Sequence, residues 1–388
     1  MVTMRRSPLL VVAILLFLAP PARGQTPEPW LEGLMFPTNM AFAADGRLFF
    51  TEKATGAVRV ASADGVLDPE PVRSIAVGST GETGLLGIAL HPRFTEGEPW
   101  IYLYLSDPAD GMNRLVRVRA DDAVTGPEPL LTTVPATNAY HNGGDLLFGP
   151  DGMLYVAVGE AHEPERAQDP EDVGGKVLRL TPEGSPAPGN PTEGNPAFTL
   201  GHRNSFGLCA DPATGDLWET ENGPDVNDEV NRLEAGANYG WPDVTGDSGG
   251  RFTDPVTVFP DTVALTGCAW WNGGLLAGSW NDGRVRRIDT ATGDATEVLG
   301  FPAGVTDLQV GPDGALYVST ADTIWRVGTA PTGSLGPSPM PAPSEDGGGA
   351  SRWVAAVAAV VLVGALAVRF SAGRALRGSG DPRDASDR

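Results

Sequence analysis

LLFGPDGMLYVAVGE, residues 146–160, is an apolar run, an Asp-Gly turn and a second run of β-forming side chains ending on a glutamate. Asp-Gly between two such runs is a strong local signal for a tight β-hairpin. The pattern returns as MAFAADGRLFFTE (residues 40–52), LCADPATGDLWETE (208–221) and LQVGPDGALYVST (308–320). Weaker relatives are LLGIALHPRF (85–94) and CAWWNGGLLAGSW (268–280). Six units over about 295 residues give a period near 49, the length of a four-stranded blade. Radial closure leaves no long open sheet edge. The reading is therefore all-β: a six-bladed β-propeller of four-stranded antiparallel blades over residues 25–330. A two-sheet sandwich is the alternative, and it rarely uses so many Asp-Gly hairpins at a near-constant spacing.

Composition agrees. The 388 residues include 51 Gly and 35 Pro, suited to many short strands joined by turns, and the net charge of −22 argues against a nucleic-acid partner. Two cysteines are too few for a disulfide scaffold or a zinc ribbon, and four histidines argue against an all-histidine metal site.

The chain ends predict a location. Arg5 and Arg6 precede an apolar stretch at residues 9–18, and small residues follow before Gln25, so residues 1–24 read as a signal peptide. Residues 331–352 form a Pro/Gly/Ser linker. Residues 353–370, from WVAAVAAVVLVGALAV to Phe370, read as one C-terminal transmembrane helix with aromatic ends. The tail, 371–388, is arginine-rich and is expected on the cytoplasmic side. The propeller is thus expected outside the cell membrane on a single-pass anchor. Residues 25–351 hold 18 basic and 46 acidic side chains, a charge of −28 that favours divalent cations and opposes anionic ligands.

Functional residues of a propeller lie on loops around one mouth of its channel, so polar residues just before each inner strand carry the most information. His141, in YHNGGD, precedes one such strand and has the side chain suited to general-base work near neutral pH. Glu160 closes the same hairpin and can fix the imidazole tautomer. Arg203 and Asn204, in GHRNSFGL, precede the next inner strand. The block ENGPDVNDEVN (221–231), with NYGWP after it, is rich in oxygen donors of the kind calcium takes, although its spacing is not that of an EF-hand. His91 and His202 read as hydrogen-bonded blade residues and His162 as a loop residue. Trp270, Trp271 and Trp280 read as packing, with a sugar-binding mouth as the alternative. Cys209 and Cys268 fall on adjacent inner strands; an oxidising compartment allows them to pair, while their one-position offset allows them to face apart.

In order and spacing, HNGGDLLFGPDGMLYVAVGE, GHRNSFGL, ENGPDVNDEVN and NYGWP resemble the quinoprotein glucose/sorbosone dehydrogenase family, from about residue 33 to 327. That resemblance implies a six-bladed propeller carrying pyrroloquinoline quinone (PQQ) and calcium, which oxidises the anomeric hydroxyl of a sugar. It implies His141 as the base, Glu160 as the orienting carboxylate where the family usually has Asp, and Arg203, Asn204 and Thr266 as cofactor contacts. It further implies the carbonyls of Gly223 and Pro224 with Asp228 at an active-site calcium, and Glu229 and Tyr239 at a structural one. The electron acceptor is not specified.

The chain also departs from the pattern. A family lysine aligns with Asn281, two arginines align with Gly304 and Thr306, and a glutamine aligns with Glu82. PQQ is a tricarboxylate, and each lost charge-assisted contact is worth about 1.5–3 kcal/mol. Arg284, Arg286 or Arg287 would compensate in a shifted register. The departures keep open a second reading: a non-catalytic, calcium-stabilised propeller that binds a glycan or a protein, as the related hedgehog-interacting-protein-like domains imply.

Overall fold

A computed structural model describes residues 26–122, 125–134 and 139–328. The signal peptide, linker, C-terminal helix and tail inferred from sequence lie outside the described residues. Among those described, no helix is long and apolar enough to cross a membrane.

Six four-stranded antiparallel sheets surround one axis. Blade I is Pro37–Phe42, Leu48–Glu52, Ala57–Ala61 and Arg73–Ser74. Blade II is Leu85–Leu90, Trp100–Ser106, Asn113–Arg119 and Glu128–Val134. Blade III is Gly143–Phe148, Leu154–Val158, Lys176–Leu180 and Ala197–Leu200. Blade IV is Ser205–Ala210, Leu217–Glu221, Asp228–Leu233 and Thr257–Phe259. Blade V is Leu265–Trp271, Gly274–Ser279, Arg284–Ile288 and Ala295–Gly300. Blade VI is Val305–Val310, Leu316–Thr320, Thr323–Val327 and, from the other end of the chain, Glu28–Glu32. That N-terminal strand pairs with Thr323–Val327, so the last blade is completed by the first strand.

The first strand of each blade packs on the first strand of the next, and Val305–Val310 returns to Pro37–Phe42. Between blades I and II, Phe49, Leu85, Ile88, Ile101 and Leu103 are almost fully buried. Each such aliphatic contributes about 1.5–3 kcal/mol of hydrophobic stabilisation. The six hairpins read from sequence are the inner pairs of the six blades. Their spacing is not constant, however: inner strands begin at Pro37, Leu85, Gly143, Ser205, Leu265 and Val305. The repeat lengthens where blades III and IV carry long loops, and those loops hold the polar block.

Every inner strand breaks register once near its start. At that step blades II, IV and V place Gly87, Gly207 and Gly267, whose missing Cβ atoms would meet a neighbouring inner strand within 2.5 Å. Blades I, III and VI have polar residues around the same step. Asp145 accepts from Asn39 Nδ2 of blade I (2.9 Å) and Leu208 N of blade IV (2.6 Å), and Asp307 accepts from Met40 N (2.8 Å). Asn39 Oδ1 in turn accepts from Ile88 N of blade II (2.8 Å).

Cys209 and Cys268 form a disulfide, with Cα atoms 5.7 Å apart, that ties the inner strands of blades IV and V. The two cysteines therefore face each other despite the one-position shift seen in sequence.

Candidate active site

His141 sits on the loop entering blade III with φ of 57°, ahead of Gly143 and Gly144, also at positive φ. A side chain on Gly143 would meet Gly159 N at 2.7 Å, which accounts for glycine there. The loop is anchored by Glu82, whose Oε2 accepts from His141 N (2.7 Å), Asn142 N (3.4 Å) and Asn204 Nδ2 (3.2 Å). Glu82, at the position aligned with a family glutamine, is thus occupied by three donors. It is a brace across blades II, III and IV, and no local motif signals it.

The imidazole is held at both nitrogens. Nδ1 lies 2.7 Å from Glu160 Oε1, and Nε2 lies 2.8 Å from Arg203 Nη2. A guanidinium only donates, so Nε2 accepts and the ring proton sits on Nδ1, facing the carboxylate. Burial, then the Arg203 charge, pushes the His141 imidazole down to about 3. The contact with Glu160 is thus a hydrogen bond from a neutral ring and not an ion pair. Burial raises the Glu160 carboxyl, opposed by Arg203. The result is a neutral imidazole with a lone pair aimed at one side chain.

Arg203 also donates from Nη1 to the carbonyls of Asn222 and Gly223 (2.8 Å each), and its guanidinium lies 5.5 Å from the Trp241 ring. Its own backbone is fixed: Arg203 N donates to Glu221 Oε1, and Arg203 O accepts from Glu160 N (3.0 Å). Behind it, His202 is fully buried with Nδ1 at 3.0 Å from Glu219 and 3.1 Å from Glu221, and Nε2 at 2.8 Å from Thr199. Burial pulls its imidazole down, but the two carboxylates outweigh this and raise it to about 10. His202 is thus a cation beneath the site, a partnership that its lone place in GHRN does not reveal.

The other expected residues separate into two groups. The Asn204 amide is taken up by Glu82 and by Gly143 N (3.2 Å), so it ties loops together. Thr266 Oγ1 and Arg203 Nε are buried without partners, donors fit for an oxygen-rich cofactor edge at one end of neighbouring blades. The positions aligned with the family cations carry none themselves, and among the described residues no arginine replaces them. Thr306 Oγ1 bonds Pro37 O and Ser319, Gly304 packs under Trp280, and Asn281 is exposed with Nδ2 on Thr262 O. The compensating arginines do not reach the mouth. Arg286 binds Asp282 and Glu297, Arg284 lies against Glu297 and Gly300, and Arg287 donates to Asn272 O. Trp280 packs on Phe36, near Lys53, whose Nζ donates to Gly81 O (2.7 Å). Trp271 and Trp270 serve packing, the first bonding Gly314 O and the second lying beside Trp218.

A cation fits beside Arg203. A cavity of about 10 Å³, room for one water-sized particle, is lined by Glu221, Glu229, Gly223, Tyr239 and their neighbours. Burial and the Glu221 charge raise the Glu229 carboxyl to about 8, so two buried acids face one small space. Asp228, expected at the active-site calcium, is hydrogen-bonded through both oxygens to neighbouring loops. Its Oδ1 accepts from Gly223 N (3.0 Å) and Thr262 Oγ1 (2.8 Å), and its Oδ2 from Val263 N (2.8 Å) and Ala264 N (2.7 Å). It braces two loops and has no lone pair to spare. The Tyr239 hydroxyl donates to Arg232 O, leaving only its main chain for a cation, and Pro224 is exposed on the turn.

The propeller thus holds one imidazole between a carboxylate and a guanidinium at the entrance to blades III and IV. The glucose/sorbosone dehydrogenase family model matches residues 34–326, and the chain belongs to that family of sugar dehydrogenases, oxidoreductases acting on CH–OH groups. Quinoprotein glucose dehydrogenase B of Acinetobacter calcoaceticus is 32% identical over 251 residues, 56% of this chain and 52% of the relative. Aldose sugar dehydrogenase YliI of Escherichia coli is 30% identical over 289 residues, 64% of this chain and 76% of the relative. The PQQ-bound aldose sugar dehydrogenase of Streptomyces coelicolor superposes with a TM-score of 0.72 at 31% identity, covering 80% of this chain and 99% of that one.

Proposed function

We propose that this chain is a calcium-dependent quinoprotein-type dehydrogenase of aldoses, exported and tethered outside the cell membrane by its C-terminal segment. The observation that carries the reading is the imidazole of His141, neutral, with Nδ1 on Glu160 and Nε2 accepting from Arg203. Bound PQQ would supply the hydride acceptor. His141 Nε2 takes the proton of the anomeric hydroxyl, and Glu160, 2.7 Å behind Nδ1, stabilises the imidazolium that forms. Arg203 must leave Nε2 before this happens, and an oxygen of bound cofactor is a fitting new partner for a guanidinium. Arg203 and Thr266 are the residues with donors left to hold the cofactor, and Glu221 and Glu229 the ones that would hold calcium.

The Cys209–Cys268 disulfide supports an oxidising compartment, and the apolar segments at both chain ends support export and anchoring. One observation favours the second reading, a calcium-stabilised glycan- or protein-binding propeller: the carboxylate-gripping positions are Asn281, Gly304 and Thr306, and no arginine substitutes for them. A titration of the protein with PQQ in calcium-buffered solution, followed by absorbance, separates the two. Saturable binding, weaker than in relatives that keep those cations, is the expected result. No binding up to about a millimolar, about 4 kcal/mol on the affinity scale, would leave the binding propeller.

A further inference from the structure

His162 belongs to none of the interactions above, yet the chain adopts an unfavourable backbone to place it. Ala161 and His162 both have positive φ, 56° and 60°, and His141 itself has 57°. Three non-glycine residues in the left-handed region at one site need surroundings that hold them there. Ala161 N donates to His141 O (3.0 Å), and Glu163 N closes the turn on Glu160 O (3.0 Å). The product is a stack: the rings of His162 and His141 lie with centroids 3.7 Å apart at 24°, and Tyr140 backs His162 at 6.0 Å and 60°. Burial keeps both imidazoles neutral, His162 down to about 4 and His141 to about 3, so the stack is one of uncharged rings. Among the described residues the His162 ring makes no hydrogen bond.

The anchors of His141 explain why a stacked ring matters. Glu160 and Arg203 both hold it in its own plane. Once Arg203 leaves Nε2 to free the lone pair, one in-plane bond remains and the ring is free to swing out of plane on that side, except where another ring covers its face. We propose that His162 is a positioning residue: its imidazole clamps the face of His141 and keeps Nε2 aimed at the mouth when Arg203 lets go. This rests on the dehydrogenase reading for its purpose, not for its geometry.

The test has two arms. In the first, ¹⁵N NMR of the His141 ring is recorded in Arg203→Met, which removes the second in-plane anchor, with and without His162→Ala. The proposal expects a single Nδ1–H tautomer with His162 present and averaged ring-nitrogen signals when it is replaced. An unchanged single tautomer in the double variant overturns it. In the second, His162→Ala and His162→Phe are compared in PQQ-loaded enzyme. The expected result is a kcat loss of about tenfold to a hundredfold at unchanged KM for Ala, largely restored by Phe, which keeps a stacking face. Equal losses in both variants overturn the clamp. Absence of dehydrogenase activity in the wild type defeats the functional reading alone, and the NMR arm still decides the role of His162.

Discussion

Arg203 and His141 restrain each other, and the sign of that restraint is testable. The Arg203 cation, after burial, is what holds the His141 imidazole near 3. Removing it in Arg203→Met should raise the His141 titration toward the ordinary histidine range near 6.5, measured by NMR on the metal-free protein; no upward movement would mean that burial alone sets it. Glu160→Ala should lower kcat by about a hundredfold or more at little change in KM, because the Nδ1 proton and the imidazolium lose their partner. Steady-state kinetics at saturating aldose would check this. At this scale the sequence was legible where a residue's type carries its chemistry: His141, Glu160 and Arg203 meet as their order suggested. It was silent where a role comes from a long-range brace. Glu82 lies 59 residues before the backbone amide it holds, and Asp228 holds amides 35 and 36 residues away. Neither brace leaves a local pattern.

Among elements, the inner strands and their bulges decide how the blades meet. Gly87 in blade II lies so close to Gly144 that an added Cβ would stand 1.9 Å from its carbonyl oxygen. Gly87→Ala is therefore expected to lower the melting temperature by several degrees, since backbone on both sides must shift; calorimetry would check it. The Cys209–Cys268 bridge closes a loop with a sequence separation of 59, for which chain-entropy reasoning gives about 4 kcal/mol. The Cys209→Ser/Cys268→Ser variant should melt lower yet keep its affinity for calcium, because the Glu221–Glu229 pocket is formed within blade IV. Asp-Gly hairpins made the inner strand pairs legible from sequence. The outer strands were not, because Arg73–Ser74 and Thr257–Phe259 are short and carry no alternation. Closure of blade VI by Glu28–Glu32 was hidden for another reason: its partner strand lies at the far end of the described chain.

For the molecule as a whole, charge sets both stability and ligand preference. Asp145 lies buried near the axis with its carboxyl pushed up by burial to about 6, and Asp307 is raised as well. A carboxyl raised on folding holds its proton more tightly in the folded state, so its ionised form costs stability. That cost appears as pH rises through the interval between the unfolded value near 4 and about 6. The melting temperature of Asp145→Asn relative to wild type should accordingly become more favourable between pH 4 and pH 6; a constant difference would show that Asp145 does not titrate there. A calcium ion held between Glu221 and Glu229 would act in the opposite sense, favouring the ionised form of both carboxyls, so if the proposed site is filled, chelation should lower the melting temperature and added calcium should restore it. The strong negative charge was plain from composition, whereas the placing of two acids around one small cavity needed the fold.

Oxidation of an aldose by the protein supplied with calcium and PQQ, compared with that by His141→Ala, tests the central claim most directly. The expected result is sugar-dependent reduction of a dye by the wild type, with kcat falling at least a hundredfold in His141→Ala while PQQ binding is retained. Equal rates in the two proteins, with PQQ bound to both, would contradict it, because the imidazole held between Glu160 and Arg203 would then take no proton from the sugar.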